Sequence, residues 1–431
     1  MLSAAVILLA CVLIGRLYQI QVLDAAYYEE RAAGQYVHTT TDLYDRGSIF
    51  FTTRDGNLLS AASIKAGYTL AVNPNLLTQS AGDFCETLSD YLDDSVDSCV
   101  ARITIPGRAY VELGTQLNEA DAAAIESLEL DGAQLYRNQW RYYPGGTLAA
   151  RSIGFVGYTG EDVELRGRYG LERFYDEVLF KEREVLRVDF FAELFSNLGE
   201  LVYNRKESNT GDIVTTLEPA VSRMLDSKLA EVQETYDSKL TGAIIMDPHT
   251  GAIIAMNAVP SFDLNNRRGA TIEQFQNPLV ENVYEFGSTI KALTVAAGLD
   301  SGVITANSTY YDAGSIELDT FTIRNFDGRG RGTVPMQEVL NQSLNTGVAH
   351  IVQQMGKGSF RDYFLNYKLG SETGIDLPNE SFGLVENLRS PRDVEYATAS
   401  FGQGIAMTPI ATTRALATLA NGGRLVTPHI V

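Results

Sequence analysis

The stretch TGAIIMDPHTGAIIAMNAV, residues 241–259, limits the fold more than any other part of the chain. Two apolar runs flank Asp-Pro-His-Thr-Gly, where proline and glycine punctuate a tight turn, so the spacing predicts a β-hairpin. Neither run alternates polar with apolar. The expectation is therefore that both strands are largely buried, in the middle of a covered sheet. Just before them, Thr215-Thr216-Leu217-Glu218-Pro219 opens a helix with Val221, Met224, Leu225, Leu229 and Val232 near the 3.6 period. With more helices following, this half reads as an α+β fold, helices packed on an antiparallel sheet.

At 431 residues the chain is long enough for two folded parts or more. The polar stretch NRKESNTGD, 204–212, separates them by composition. Ahead of it lie short strand-like segments, two of them flanking the turn at Asp55-Gly56, and a short helix over 119–130. The 34 basic against 54 acidic residues give a net charge of −20, which argues against nucleic acid as a partner, since phosphate binding needs clustered Lys and Arg. Neither metal-ligand spacing nor a glycine-rich phosphate loop is found, so no cofactor is expected.

The N-terminus stays uncharged for fifteen residues, to Arg16, and continues apolar through Leu23. Fifteen helical residues span roughly 22 Å, short of the roughly 30 Å hydrocarbon core unless the helix runs on with Arg16 snorkelling. Two readings stand: a single-pass anchor over 1–23, clipped at its start, or a signal peptide without a basic leader. The anchor is preferred, because no small-x-small cleavage site follows; everything after Leu23 then lies outside the cytoplasm. Cys11 falls within the apolar segment. Cys85 and Cys99 are either a pair in an oxidising compartment or two free thiols.

The chemistry concentrates in EFGSTIKALTVAAGL, 285–299, where Ser288 precedes Lys291 by three residues at the mouth of an apolar helix. Ala292, Leu293, Val295, Ala296, Ala297 and Leu299 cover every face, the pattern of a helix buried all round. An ammonium at the edge of such a core loses solvation beside the positive end of the helix dipole, and both effects favour the neutral amine, which can act as a base. Residues three apart share a face, so the Ser288 hydroxyl and the Lys291 amine can meet. Ser288 is the only serine with lysine at the third following position, and Ser343-Leu344-Asn345 is the only S-x-N. The latter lies fifty-five residues on, between a helix opened by Pro335 and another through Val348, Ile351, Val352 and Met355. On their own, Ser343 and Asn345 read equally as a helix cap.

Taken in order, these residues resemble the class B penicillin-binding proteins, the monofunctional serine D,D-transpeptidases of cell division and elongation. The resemblance runs through Arg16-Leu-Tyr-Gln-Ile-Gln-Val, Asp45-Arg46-Gly47-Ser48-Ile49, Arg141-Tyr142-Tyr143-Pro144 and Gly170-Leu171-Glu172. It continues through Asp247-Pro-His-Thr-Gly251, Ser288-Thr-Ile-Lys291, Ser343-Leu-Asn345, Thr373-Gly374-Ile375-Asp376-Leu377-Pro378-Asn379-Glu380, Phe401-Gly402-Gln403-Gly404 and Asn421-Gly422-Gly423. It implies a β-lactamase-like transpeptidase fold over 206–431, an antiparallel sheet sandwiched by helices. Ahead of this it implies a strand-rich, elongated, non-catalytic stem over 24–205 and the membrane anchor.

The resemblance further implies that Ser288 is acylated by a D-Ala-D-Ala stem peptide of peptidoglycan, and by β-lactams. Lys291 would be the base, Ser343 a proton relay and Asn345 a hydrogen-bond partner. Gly287, Gly402, Gln403 and Gly404 become candidates for substrate contact, although the last three, with Glu380, also read as turn and packing residues. Implied partners are a membrane-embedded glycosyltransferase and division or elongation proteins, at the bacterial inner membrane. Two departures stand out. Phe286 replaces the proline usual before Gly-Ser, and no K-T-G occurs before Val431, so a C-terminally incomplete frame is expected, with a half-built site and exposed sheet edges. Alternative readings are a β-lactamase or β-lactam sensor of the same fold, or an inactive scaffold.

Overall fold

The computed structural model describes residues 46–92, 94–159, 162–180 and 211–431. The apolar N-terminal segment and most of the polar stretch at 204–212 lie outside the described residues. Among the described residues no helix is long and apolar enough to cross a membrane. Two compact units divide the chain: one holds Ile64–Tyr142, the other Arg46–Ser63 together with Tyr143–Val431. Segments 46–63 and 143–180 fall in the same unit as the C-terminal half.

In the smaller unit, the outer part of strand Leu58–Val72 pairs antiparallel with Val111–Leu117, Val72 opposite Val111. Helices Ala81–Thr87 and Val96–Ile103 each start on a serine, Ser80 Oγ accepting from Asp83 N and Ser95 Oγ from Ser98 N. Phe84, Leu88, Ile103, Leu113 and Leu117 form its core. Within that core Cys85 and Cys99 are joined as a disulfide, with Cα atoms 5.9 Å apart. The expected helix over 119–130 forms as Glu119–Glu126, capped by Asn118.

The larger unit begins with the expected turn: Ile49–Thr52 pairs with the start of Leu58–Val72 across Thr53–Asn57, where Gly56 takes φ +79°. Three separate sequence motifs then meet. Arg46 donates from Nε to Glu172 Oε2 at 2.6 Å, from Nη2 to the Glu172 carbonyl at 2.6 Å and from Nη1 to Asp176 Oδ1 at 2.7 Å. Tyr143 Oη reaches Glu172 Oε1 at 3.4 Å and accepts from Val156 N at 3.1 Å. Arg46 and Glu172 have fully buried side chains, so the desolvated pair is held by its hydrogen bonds rather than by water.

The hairpin predicted at 241–259 is present as Thr241–Met246 and Ile253–Val259, with Ile244 opposite Met256. Its burial departs from expectation. Ile253–Val259 is nearly all buried, whereas Thr241–Met246 is half-buried with Gly242 exposed. Among the described residues the ladder of Thr241–Met246 is with its hairpin partner alone, leaving it an edge. Helix Pro219–Tyr236 packs on the hairpin with only part of the expected stripe: Val221 and Leu225 are half-buried and Leu229 buried, whereas Met224 and Val232 are exposed. The buried line is Pro219, Ser222 and Leu229, because small Ser222 allows close approach, and Asn257 Nδ2 then donates to the Ser222 carbonyl and to Asp226 Oδ1.

Helix Lys291–Asp300 lies between two apolar clusters, Val295 joining one with Val348 and Ile351, and Leu293 the other with Val352, Phe360 and Phe364. Burial is not quite all round, since Leu299 is exposed. Met336–Asn341, with Pro335 as N-cap, and Asn345–Met355 form where the sequence places them.

Candidate active site

Ser288 sits on a single 3-10 turn, Gly287–Ile290, that runs into the α-helix at Lys291. In a 3-10 turn residues i and i+3 eclipse, which stacks Ser288 over Lys291 along the turn axis. The proline expected before this turn is absent, yet Phe286 adopts φ −77° without it. Its half-buried ring packs against the cluster of Leu293 and Phe360 and lies edge-on to Tyr284, so packing supplies the restraint a pyrrolidine ring would give. Gly287 takes φ +57°, open to glycine and costly to other residues. Behind it, Gly402 donates no side chain and needs none: its carbonyl accepts from Gly287 N at 3.2 Å, and a Cβ there would meet Gly287 O at 2.4 Å.

Ser288 is exposed while Lys291, three residues on, is only 2% exposed. Burial pulls the Lys291 ammonium down to about 8 from its ordinary 10.5. The amine donates to the Ser343 carbonyl at 2.6 Å and to Ser343 Oγ at 2.9 Å. Neutral lysine has two N–H donors and one lone pair; Ser343 occupies both donors and leaves the lone pair. Ser288 Oγ makes no hydrogen bond among the described residues, so the nucleophile candidate is unengaged.

Ser343 presents both oxygens to one nitrogen because its backbone is left-handed, φ +53°, a conformation that costs a non-glycine residue about 1 kcal/mol. The alternative reading of S-x-N as a helix cap is not realised. Leu344 is the N-cap of Asn345–Met355, and Asn345 Nδ2 instead donates to the Arg324 carbonyl at 2.9 Å.

These side chains border a cavity of about 360 Å³ lined by Gly287, Ser288, Phe326, Gln342, Ser343, Asn345, Phe401 and Gln403. Six of the sequence-derived candidates, Ser288, Lys291, Ser343, Asn345, Gly287 and Gln403, are thus brought together, Lys291 beneath the floor. Gly402 and Gly404 do not line the cavity: Gly402 backs the serine turn, and Gly404 N donates to Glu285 Oε1 at 2.8 Å. Glu380 is a turn residue, its carboxylate accepting from Thr373 N at 2.6 Å and Gly374 N at 2.9 Å. Phe326, Gln342 and Phe401 were not singled out by sequence. Phe401 stands inside the F-G-Q-G motif and Gln342 beside Ser343, but nothing local distinguishes Phe326, whose ring is fully exposed. Among the described residues no group of acidic, His and Cys side chains could hold a metal.

A serine on a helix-leading turn, a buried lysine and a second hydroxyl on that lysine thus stand together on an α+β scaffold. Residues 241–431 match the penicillin binding protein transpeptidase domain, and 43–191 match the penicillin-binding protein dimerisation domain. The chain belongs to the class B penicillin-binding proteins. It is 28% identical over 397 residues to stage V sporulation protein D of Bacillus subtilis, covering 90% of this chain and 59% of that protein. To the probable peptidoglycan D,D-transpeptidase PenA of Neisseria gonorrhoeae it is 27% identical, covering 99% and 71%. To the peptidoglycan D,D-transpeptidase FtsI of Escherichia coli it is 28% identical, covering 80% and 57%. The chain therefore spans about three fifths of the length of several such relatives. The crystal structure of penicillin binding protein 2X from Streptococcus thermophilus superposes with a TM-score of 0.66 at 23% identity, over 90% of this chain and 60% of that one, and shares the fold.

Proposed function

We propose that the chain carries the acylation centre of a peptidoglycan D,D-transpeptidase. The observation that supports it best is Lys291: a buried amine with both N–H donors fixed on Ser343 and its lone pair left over, one turn from an unengaged serine. In this reading the Ser288 hydroxyl adds to the carbonyl of the penultimate D-alanine while its proton passes to the free lone pair of Lys291, which Ser343 holds in place through both N–H groups. The C–N bond then breaks, the terminal D-alanine leaves with that proton, and Ser288 keeps the acyl group as an ester. The amine of a neighbouring stem peptide attacks the ester, loses a proton to Lys291, and Ser288 recovers its hydrogen. Asn345 and Gln403 line the cavity as hydrogen-bonding contacts for the peptide. A β-lactam follows the same first step and stays on the serine because its leaving group remains tethered.

In the same reading residues 24–205 are a non-catalytic stem, and 206–431 contribute the transpeptidase portion. The protein is held at the bacterial plasma membrane by 1–23, with a membrane-embedded glycosyltransferase and division or elongation proteins as partners. The test is covalent labelling of the full-length protein with a fluorescent penicillin, repeated for Ser288→Ala and Lys291→Met. Labelling is expected in the native protein and in neither variant. Label retained by Ser288→Ala would sink the nucleophile assignment, and label released by hydrolysis within seconds would favour a β-lactamase.

A further inference from the structure

The wall of the cleft that carries Asn345 and Phe326 is hung on a carboxylate that never touches the cleft. Asp312, at the end of strand Thr309–Asp312, is 1% exposed and has no cationic partner among the described ion pairs. Four donors converge on it instead. Its Oδ1 accepts from Thr346 Oγ1 at 2.8 Å, Gly314 N at 2.9 Å and Asn325 Nδ2 at 3.0 Å; Oδ2 accepts from Asn325 Nδ2 at 3.0 Å and Arg331 N at 3.1 Å. Asn325 then turns its own Oδ1 to Thr346 N at 3.3 Å and Thr346 Oγ1 at 3.1 Å. Thr346 directly follows Asn345, and Asn325 directly precedes Phe326.

We propose that Asp312 is a positioning residue for this site, setting Asn345 and Phe326 together through their buried neighbours Thr346 and Asn325. An acceptor-only group is required, because every contact is a donor. An amide in its place would turn an NH2 onto an N–H or O–H and leave buried groups unpaired, so Asp312→Asn is not conservative here. The reading of the site as an acylation centre underlies the kinetic part of the test, and a second readout is independent of it.

The kinetic part is the second-order rate of penicillin acylation for the full-length protein, Asp312→Asn and Asn325→Asp. Asp312→Asn should lose about tenfold or more, from misplacement of Asn345, while the folded content by circular dichroism is retained. Asn325→Asp sets two carboxylates about 3 Å apart, which cannot both be charged. The ratio of its rate to the native rate should therefore rise as pH falls and the pair shares a proton. Tyr310, Arg329, Arg331 and Asp327 flank the pair, and His350 stacks on Tyr310; all are the same residues in both proteins, and the effect of Lys291, which is also common to both, divides out of the ratio. The independent readout is hydrogen exchange, where the amides of Ser343–Thr346 should exchange faster in Asp312→Asn. A flat pH ratio with unchanged exchange overturns the role of Asp312. A native protein that takes up no penicillin overturns the acylation reading, and exchange still decides the positioning.

Discussion

Lys291 sets the pH behaviour of the site. Its folded value, about 8, lies below its unfolded 10.5, so the folded chain holds fewer protons between those two values. Sign follows directly: the destabilisation from burying the ammonium is fully present below about 8 and is relieved as pH climbs from there toward 10.5. With Lys291 as the proposed base, acylation is expected to move the same way, since only the neutral amine has a lone pair. Acylation measured from pH 6 to 9.5 should climb about tenfold per pH unit and level off near 8; a rate independent of pH would remove Lys291 as the base. Gly402 gives a second residue-scale test. A methyl group there runs into the Gly287 backbone first and then the Ile290 side chain, at a φ of +74° that L residues avoid. Gly402→Ala is expected to cost about 1–3 kcal/mol in denaturant unfolding and to slow acylation as the serine turn is pushed aside. Unchanged acylation would mean that turn is free to shift.

Among elements, the helices and the hairpin were legible in the sequence because their signals are local: a proline at a helix start, Asp-Pro-His-Thr-Gly between apolar runs, apolar spacing near 3.6. What failed was the assignment of faces. Helix Pro219–Tyr236 buries Ser222 and exposes Met224, since the face is chosen by how closely a strand can approach, which periodicity does not encode. That Ser288 and Lys291 stand on one turn was legible from three-residue spacing, and the place of Ser343 beside them from its motif. Phe326 and Asp312 were not, because their roles depend on which loops fold together. Equally hidden was the junction of Arg46 with Glu172, 126 residues apart in sequence. Glu172→Ala removes the fully buried carboxylate partner of Arg46 and leaves it Asp176, so it should lower stability by about 3 kcal/mol, whereas replacing Arg46 and Glu172 together with apolar residues of similar size should cost less. Equal losses for the single and double variants, in urea melts, would show that the charges do not act as a pair.

Phe84 and Leu113 lie in the core of the smaller compact unit, and the larger has separate clusters around Ile253, Val295 and Leu293. The Cys85–Cys99 bridge closes a loop in the smaller one alone, with a sequence separation of 14. Reduction should destabilise that unit by about 3 kcal/mol while Ser288 remains able to take up penicillin. Loss of labelling on reduction would show that the bridge governs the site. The backbone contact between Gly287 and Gly402 has a further mechanical meaning. One flank of the cleft is clamped main chain to main chain with no side chain interposed, while the opposite flank is suspended from rotatable side chains of Asn325 and Thr346. A bulky ligand is therefore expected to displace the segment carrying Asn325 and Thr346 before it moves the serine turn.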